Sequence, residues 1–513
     1  MSLHHSAAVG ATTFAAVLLL GIGAAWANET PPPSDPPQAS ESPTATPAPS
    51  KSPSQPLPTD PPDDAAQVAP FAAGPVIADS LTTTTSGSAR MLGDINPGTA
   101  NMTAVPLQAA ATSKYLLFVA TTTANGSELW RTDGTTAGTK LVKDIVLGST
   151  GSGPALLKKV GDYVYFAADD GVHGRELWRS NGTATGTTLV TDINPGAAGS
   201  DPQNLTTVGS TLYFAATSAA TGRELYTRSS AGTRLVSDIR PGAPSGSPSG
   251  FKAVGSTLYF GADDGVHGLE LWRSNGTIAT TYLVDDLNPG SGGSNPAPLV
   301  LIGKTLYLQA DNGQTGPEVF TLSNDHFALT IDLLPGGGGS GSNYWASLGN
   351  SLFFSPSTSA TGNEVWRIGP TYSESGLVAD LVPGAGNSFA SGLTPFGSYI
   401  YFNAETTGEG PELWRTNGTT TSIVKAAPGT DSYDPYNFKV AGSKLFFVAR
   451  DASSGYELWV TTGTGSSTKR FANINPDAAD STPELLESVK FKGRLYFLAN
   501  HVDFGRELWS VAY

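Results

Sequence analysis

Cysteine is absent from the 513 residues, and histidine occurs only six times. Without a thiol the chain can form neither disulfide bonds nor a thiolate metal site, and it has no cysteine nucleophile. It also lacks a Gly-x-Ser-x-Gly elbow, a His-Glu-x-x-His zinc motif and a phosphate-binding loop. The common local signatures of catalysis are therefore missing, and we predict a protein that is not an enzyme and has no cofactor.

Basic side chains are also few. The chain has 29 lysines and arginines against 44 aspartates and glutamates, which gives a formal net charge of −15 at pH 7. Nucleic acids and anionic membranes are held by basic patches, so this charge argues against both as partners. It suits solubility outside the cell and is compatible with cation binding.

One short motif, by contrast, is abundant. Glu-Leu-Trp or a close variant occurs nine times, and consecutive copies are separated by 45 to 50 residues. This spacing is the length of a four-stranded blade, so the chain consists of copies of one supersecondary unit. The nine glutamates are Glu128, Glu176, Glu224, Glu270, Glu318, Glu364, Glu412, Glu457 and Glu507.

The third copy shows how one unit divides into strands. Residues 204–209, 210–216, 223–226 and 233–239 are short runs rich in β-branched and aromatic residues, with turn residues between them. Asn-Gly pairs, as at Asn181, join strands c and d in several copies. No window outside the N-terminal segment has a sustained helical period, so each unit is predicted to be four antiparallel strands, a to d.

Stacked radially, such sheets bury one another's faces. We therefore predict an all-β, closed β-propeller of nine four-stranded blades, with eight blades as the alternative because eight is the usual upper limit. Residues i and i+2 share a strand face, so Glu and Trp of the motif point to one side and Leu to the other. The tryptophans expected to wedge between blades are Trp130, Trp178, Trp272, Trp366, Trp414, Trp459 and Trp509.

The two ends of the repeat array complement each other. Tyr513 comes just after strand c of the ninth unit, so that unit lacks its own strand d. The nine residues from Arg90 to Gly98 match strand d of the second unit, which begins at Thr188. Residues 88–95 are therefore predicted to complete the last blade and close the ring, which removes exposed sheet edges.

These repeats resemble a bacterial repeat family named for the motif Glu-Leu-Trp-x-x-Asp-Gly-Thr. The best copies begin at Glu128, Glu176, Glu270 and Glu412, and the resemblance covers residues 88–513. It implies a secreted, propeller-like protein and no particular activity. Copies five and six lack the glycine turn of the motif, so we expect their blades to be less regular or specialised.

The N-terminal segments differ in composition from the repeats. Residues 1–27 combine an apolar run with the small-x-small pattern that ends at Ala27, as in a signal peptide. No Lys or Arg precedes the run, so an uncleaved anchor stays an alternative. Residues 28–87 are rich in Pro, Ser, Thr and Ala and predict a disordered linker, a stalk or a plain tail. The propeller is assigned to residues 88–513.

If strand a is innermost, the d-to-a crossovers and the b-to-c loops share one face, here called the crossover face, where function is expected. Two b-to-c loops, at 169–174 and 263–268, are acidic, and the loop at 311–313 is a weaker copy. Their carboxylates could bind Ca²⁺, but Asp-Gly is an ordinary turn former and the alternating ligand pattern is missing. We therefore predict no metal site.

The repeated glutamate is expected to be structural. A carboxylate that faces a neighbouring blade needs donors, and the Gly-rich crossovers offer backbone N–H groups. Each Glu is predicted to lock its blade to the adjacent loop, because nine equal copies argue against a catalytic role. The aspartates expected to act similarly are Asp94, Asp144, Asp192, Asp238, Asp286, Asp332 and Asp380.

Two crossovers depart from the Gly, Ser and Ala of the others. The crossover into the sixth blade carries Tyr344 and Trp345, and that into the eighth carries Tyr433, Asp434 and Tyr436. Exposed aromatics beside polar groups suit stacking and hydrogen bonding with a carbohydrate or peptide. The alternative is that these rings fill space around distorted blades.

The function that follows is extracellular recognition. We predict a secreted or cell-surface bacterial scaffold, monomeric, that binds a glycan or protein ligand on the crossover face. The alternative is a carbohydrate-active propeller enzyme, a glycosidase or lyase, with carboxylates at the channel mouth, because such sites assemble from distant blades and leave no local motif.

Overall fold

The computed structural model describes residues 89–102, 108–334, 339, 342–419, 424–425, 433–451, 454–475 and 480–513. The predicted signal peptide and linker lie outside the described residues. Within the described ranges, none of the helices is long and apolar enough to span a membrane. Three short 3-10 helices are present: η1 (Ile278–Thr280), η2 (Tyr372–Glu374) and η3 (Gly465–Ser467).

The described strands form nine antiparallel sheets, numbered as blades 1 to 9. The chain begins its described part with β1 (Arg90–Met91), which belongs to blade 9. Blades 1 to 4 follow as β2 (Ala109–Ala111), β3 (Leu116–Thr122), β4 (Gly126–Thr132) and β5 (Lys140–Lys143); β6 (Ala155–Val160), β7 (Tyr163–Asp169), β8 (Arg175–Ser180) and β9 (Thr188–Thr191); β10 (Gln203–Val208), β11 (Thr211–Ser218), β12 (Gly222–Ser229) and β13 (Gly232–Ser237); β14 (Ser249–Val254), β15 (Thr257–Asp263), β16 (Leu269–Ser274) and β17 (Tyr282–Leu283).

The second half of the ring has the same order within each sheet. Blades 5 to 9 are β18 (Ala297–Ile302), β19 (Thr305–Asp311), β20 (Pro317–Ser323) and β21 (His326–Ile331); β22 (Ser342–Leu348), β23 (Ser351–Thr358), β24 (Gly362–Asn363), β25 (Val365–Ile368) and β26 (Gly376–Ala379); β27 (Ser391–Phe396), β28 (Tyr399–Thr406), β29 (Glu409–Thr416) and β30 (Val424–Lys425); β31 (Tyr436–Ala441), β32 (Lys444–Asp451), β33 (Ser454–Thr461) and β34 (Lys469–Ala472); β35 (Glu484–Phe491), β36 (Arg494–His501) and β37 (Gly505–Ala512).

The ring is closed at two levels. The first strand of every blade lies beside the first strand of the next, and β35 of blade 9 lies beside β2 of blade 1. The outer strand of blade 9 is β1, in which Arg90 pairs with Ser510 and Met91 with Trp509. The prediction of a closed nine-bladed propeller, completed by a strand from the start of the repeat region, is confirmed.

The hydrophobic core lies between the blades. In the described residues it divides into nine clusters, each formed by two consecutive blades. Trp130 of β4 packs with Tyr496 of blade 9, whereas the preceding Leu129 packs with Phe166 of blade 2. This is the alternation expected of a strand that is buried on both faces. Each buried phenylalanine stabilises its interface by about 1.5 to 3 kcal/mol.

Arginines tie consecutive blades together on the face opposite the crossovers. The guanidinium of Arg234 in blade 3 donates to the carbonyl of Gly276 in blade 4 (2.9 Å), and Arg367 donates to Gly418 in blade 7 (3.2 Å). These carbonyls belong to the tight turns between strands c and d. The same bond joins Arg131 to Gly182, Arg415 to Gly463 and Arg90 to Gly134.

Blades 5 and 6 lack the glycine of the c-to-d turn and connect these two strands in different ways. In blade 5, Asn324 and Asp325 both have positive φ, at 52° and 61°, so β20 and β21 are joined by a two-residue turn without glycine. Blade 6 is less regular, because its third strand is interrupted at Glu364. The helix η2 connects this strand to the outer one, as η1 and η3 do in blades 4 and 8.

Candidate functional site

The repeated glutamates lie on the crossover face, where each crossover returns to the centre of the ring. The carboxylate of Glu176 accepts the backbone N–H groups of Ile193 and Asn194, both at 3.3 Å, and the hydroxyl of Ser200 at 2.6 Å. All nine glutamates are buried. Glu176 therefore binds both ends of the crossover that leads out of its own blade.

Two copies show how the pattern adapts. In blade 3 a glycine replaces the serine, and Glu224 accepts the N–H of Gly246 at 2.6 Å. In blade 9 the crossover belongs to the start of the repeat region, and Glu507 accepts the N–H groups of Ile95 (2.9 Å) and Asn96 (3.2 Å). Glu507 thus holds together two segments more than four hundred residues apart in the chain.

Burial raises the pKa of seven repeated glutamates, although N–H and hydroxyl donors oppose the shift: Glu128, Glu176, Glu224, Glu270, Glu364, Glu457 and Glu507. The pKa of Glu364 is raised to about 6, that of Glu224 and of Glu457 to about 7, and that of Glu507 to about 8. Near Glu507 the carboxylate of Asp94 adds to the increase.

The repeated aspartates make a local turn at the start of the crossover. Asp94 accepts the backbone N–H of Gly98, and Asp238 accepts that of Gly242, both at 3.1 Å. In blade 1 the equivalent Asp144 accepts the side-chain amide of Asn125 at 2.9 Å. These contacts stabilise the bend at which the chain leaves one sheet for the next.

The acidic b-to-c loops are capped turns. Asp170 accepts the backbone N–H groups of Val172 (2.9 Å) and His173 (2.8 Å) through one oxygen and contacts the His173 ring through the other (2.7 Å). The carboxylate of Asp170 raises the pKa of His173. Blade 4 repeats the arrangement with Asp264 and His267. In the described part of the chain, no three acidic or histidine side chains are grouped closely enough to bind a metal ion.

The predicted aromatic residues fall into two sets. Trp345 is half-buried and stacks on Phe354, with ring centroids 4.9 Å apart and planes inclined by 7°. Tyr433 packs edge-on against Trp459 at 5.2 Å. Both belong to hydrophobic clusters between blades. For these two the space-filling alternative describes the contacts.

Tyr344 and Tyr436, in contrast, are exposed, at 43% and 39%. The structure adds a third ring, Phe389, which is 61% exposed and immediately precedes the inner strand of blade 7. The three rings lie at the starts of inner strands β22, β27 and β31, which are neighbours in the ring. Sequence reasoning missed Phe389, although its place next to Ser388, in a position held by small or polar residues elsewhere, was a usable signal.

Tyr344 and Trp345 line a depression that crosses blades 6, 7 and 8. Its volume is about 300 Å³. Blade 7 contributes Gly392, Leu393 and Thr394, and the rest of the lining comes from blade 8: Asn437, Phe438 and Lys439. The depression thus combines three aromatic rings with amide, hydroxyl and ammonium groups.

Asp434 and Tyr436 form a second group beside this depression. The hydroxyl of Tyr456 donates to the carboxylate of Asp434, and the Tyr456 ring packs edge-on against Tyr436 at 5.6 Å. Burial and the Asp434 carboxylate raise the pKa of Tyr456 to about 12. Asp434 has a φ of 44° and is thus in the left-handed region. The structure therefore separates Tyr433 from the depression and fixes Asp434 through Tyr456.

No protein-family model matches the chain, and no curated protein matches its sequence. Among solved structures it is similar to a puromycin-hydrolysing peptidase of Mycobacterium tuberculosis, with 11% identity, 81% of this chain and 61% of that one covered, and a TM-score of 0.38. A prolyl endopeptidase structure has 11% identity, 68% and 54% coverage and a TM-score of 0.38. Oligopeptidase B of Trypanosoma brucei has 9% identity, 68% and 52% coverage and a TM-score of 0.37. The chain spans about half to three fifths of these proteins, and a likeness of this size says nothing about its activity.

Proposed function

We propose that this protein is a secreted or cell-surface bacterial binding protein that holds a saccharide on the crossover face of blades 6 to 8. The observation that supports it is the row of exposed rings Tyr344, Phe389 and Tyr436 at the starts of three neighbouring inner strands. A sugar can lay its apolar face on such rings while polar groups bond its hydroxyls. In the described residues the only other large aromatic side chain exposed to a similar degree is Tyr282.

The residue type at Phe389 supports the same site. Phe389 has a φ of 50°, a conformation that costs a bulky side chain on the order of 1 kcal/mol or more. The corresponding residues of three other blades share this conformation but are small or polar: Asp201, Ser247 and Asn295. The neighbouring Ser388 holds the conformation, because its N–H and its hydroxyl both donate to the carbonyl of Asn363, at 3.0 and 2.9 Å.

Binding without hydrolysis is supported by the hydrogen bonds and burial of the nearby carboxylates. A glycosidase needs one carboxylic acid and one carboxylate on either side of the scissile bond. Asp434 accepts a hydrogen bond from the hydroxyl of Tyr456. The nine repeated glutamates, here called the clamp glutamates and including Glu457, are buried in the crossovers. Release of reducing ends from a bound glycan would favour the enzymatic alternative.

Export and family membership are part of the proposal. The small-x-small pattern before Asn28 predicts cleavage there, and the composition of residues 28–87 predicts a linker ahead of the propeller. Mass spectrometry of the exported protein should give an N-terminus at Asn28. A chain that keeps residues 1–27 would favour the anchored alternative. The motif similarity supports membership of the bacterial Glu-Leu-Trp repeat family.

The binding proposal is tested on glycan and peptide arrays with the full chain. We expect glycan binding that falls at least tenfold in the variants Tyr344→Ala, Phe389→Ala and Tyr436→Ala, because each removes a stacking surface. Tyr282→Ala is the matched control, since it removes an equally exposed ring from the outer strand of blade 4. Trp345→Ala and Tyr433→Ala are unsuitable because both rings pack between blades.

Two results would contradict the proposal. One is a glycan that binds all three variants as tightly as the unaltered protein. The other is binding to peptides alone, which would assign the crossover face to a protein partner.

A further inference from the structure

We infer that the saccharide bound at this site is anionic, with its acidic group directed at Lys439. The inference rests on the proposed function and specifies the class of ligand. Lys439 lines the same depression as Tyr344, Trp345 and Asn437. An ammonium group beside stacking rings matches a sugar that carries a negative charge on its ring or on a substituent.

The charge of Lys439 is not balanced within the described residues. Several arginines in the described residues have acidic partners: Arg506 contacts Glu484 at 2.8 Å, Arg223 contacts Asp201 at 2.7 Å, and Arg240 contacts Asp263 at 3.0 Å. Lys439 makes no such contact among the described side chains, although acidic residues outnumber basic ones by 44 to 29. Lys158, at the corresponding position of blade 2, makes no ion pair with the described residues either, so Lys439 is distinguished by its place in the depression. An unpaired, half-buried ammonium in such a protein is available to an external anion.

Asn437 provides the second polar group of the depression. Its φ of 56° lies in the left-handed region, where asparagine is tolerated better than most residues. Its side-chain amide makes no hydrogen bond to the described residues and lines the depression together with Lys439. An amide can donate to one oxygen of an acidic group or of a ring hydroxyl while the ammonium takes another.

The depression has room for a sugar ring because blade 7 has a glycine, Gly392, where a side chain would otherwise stand. Gly392 has a φ of 68°, and a Cβ atom built there would lie 2.8 Å from the ring of Phe438. Glycine therefore lets the rims of blades 7 and 8 approach each other. Tyr344 and Lys439 consequently contribute to one surface from opposite sides of blade 7.

The test compares two probes that differ only in charge: hexagalacturonate and its fully methyl-esterified form. We expect calorimetric titration of the full chain in low salt to give about tenfold tighter binding of the acid. Lys439→Gln should abolish this preference, because the acid then loses its cationic partner and binds no more tightly than the ester. A neutral hexasaccharide and its sulfated derivative form a second pair of probes, and tighter binding of the sulfated form would support the inference with sulfate in place of carboxylate.

Lys158→Gln is the matched control, because Lys158 holds the same inner-strand position in blade 2, opposite Tyr165, as Lys439 does in blade 8, opposite Phe446. It should change neither affinity. Equal binding of acid and ester, or a preference that persists in Lys439→Gln, would overturn this inference and leave the proposed function standing. Failure of the acidic probes to bind would also overturn it, whereas glycan binding that ignores Tyr344, Phe389 and Tyr436 would overturn the proposed function instead.

Discussion

Blades 2 and 8 are built on the same frame but differ where the chain enters the inner strand. Both lock the crossover in the same way, with Glu176 bonded to Ser200 and Glu457 bonded to Ser481 at 2.7 Å. The residue before each glutamate differs. In blade 2 it is Arg175, which donates to the backbone carbonyl of Gly153 at 2.8 Å.

In blade 8 that position is held by Tyr456, which bonds the side chain of Asp434 instead. The entry to the inner strand changes with it: Gly153 corresponds to Asp434, and the first residue of the strand changes from Ala155 to Tyr436. Under the proposed function, stability and recognition therefore depend on different positions of one repeat. The glutamate and its donors recur, while the entry residues vary and form the candidate site.

Removing the shared part should have the largest effect. Glu176→Ala leaves two buried N–H groups and one hydroxyl without an acceptor, so we expect a loss of about 3 kcal/mol in the free energy of unfolding. Denaturant titration of the full chain measures it. Asp162→Ala, which removes an exposed carboxylate from a turn of the same blade, should change stability little. An unchanged unfolding curve for Glu176→Ala would show that this glutamate does not stabilise the propeller.

A glycine pair sharpens the contrast between scaffold and site. Gly392→Ala places a methyl group against the Phe438 ring, whereas Gly397→Ala, at a φ of 61°, meets no atom within 4 Å. Both substitutions place an alanine in a left-handed backbone conformation and should lower the free energy of unfolding. Gly392→Ala should lower it by roughly 2 kcal/mol more, because the core must shift to accommodate the methyl group. Thermal unfolding of the two variants compares them. Similar losses would show that the close approach of Phe438 does not matter.

The buried clamps should make stability depend on pH. The pKa of Glu457 is raised by burial to about 7 in the folded chain, from an ordinary value of 4.5. The protonated form is therefore favoured by folding, and its contribution is complete below pH 4.5 and is lost as the pH rises through 7.

Unfolding experiments from pH 5 to pH 8 test this expectation. Each clamp contributes at most about 1.4 kcal/mol per pH unit to the decline. Glu457→Gln should lower stability but reduce the slope by that amount, whereas Asp162→Asn should leave the slope as it is. A stability that rises with pH over this range in the unaltered protein would contradict the shift.

The smallest effect is expected at the feature that distinguishes blade 8. Tyr456→Phe removes the hydroxyl bonded to Asp434, which should cost about 1 kcal/mol of stability. It should also weaken ligand binding a few-fold, because Tyr436 packs against the Tyr456 ring beside that carboxylate. Calorimetry with the best ligand from the array measures the second effect. If neither stability nor affinity changes, the hydrogen bond between Tyr456 and Asp434 contributes to neither property.

Much of the architecture could be predicted because it repeats. Nine copies at one spacing predict nine blades, and the match between residues 90–98 and strand d of blade 2 predicts the closing strand. The alternation of a strand puts the Glu of the motif on the same side as its Trp, and the crossover supplies the donors. Averaging over copies strengthens each of these signals.

The candidate site could be predicted only in part because it depends on departures from the repeat. Tyr344 and Tyr436 stand out by residue type, but whether a ring is exposed depends on the register of its strand. Trp345 is equally unusual in sequence, yet it stacks on Phe354 in the core. Lys439 comes together with Tyr344 only through the folding of three blades, and no local pattern encodes that.

Under our proposal the clamp glutamates stabilise the ring and the entry residues bind the ligand, and blade 8 allows both roles to be tested in one place. Unfolding free energy and glycan affinity should be measured on the same samples of Glu457→Ala and Tyr436→Ala. We predict that Glu457→Ala loses about 3 kcal/mol of stability and keeps its affinity, and that Tyr436→Ala keeps its stability and loses affinity about tenfold. Variants that lose both properties together would contradict the separation.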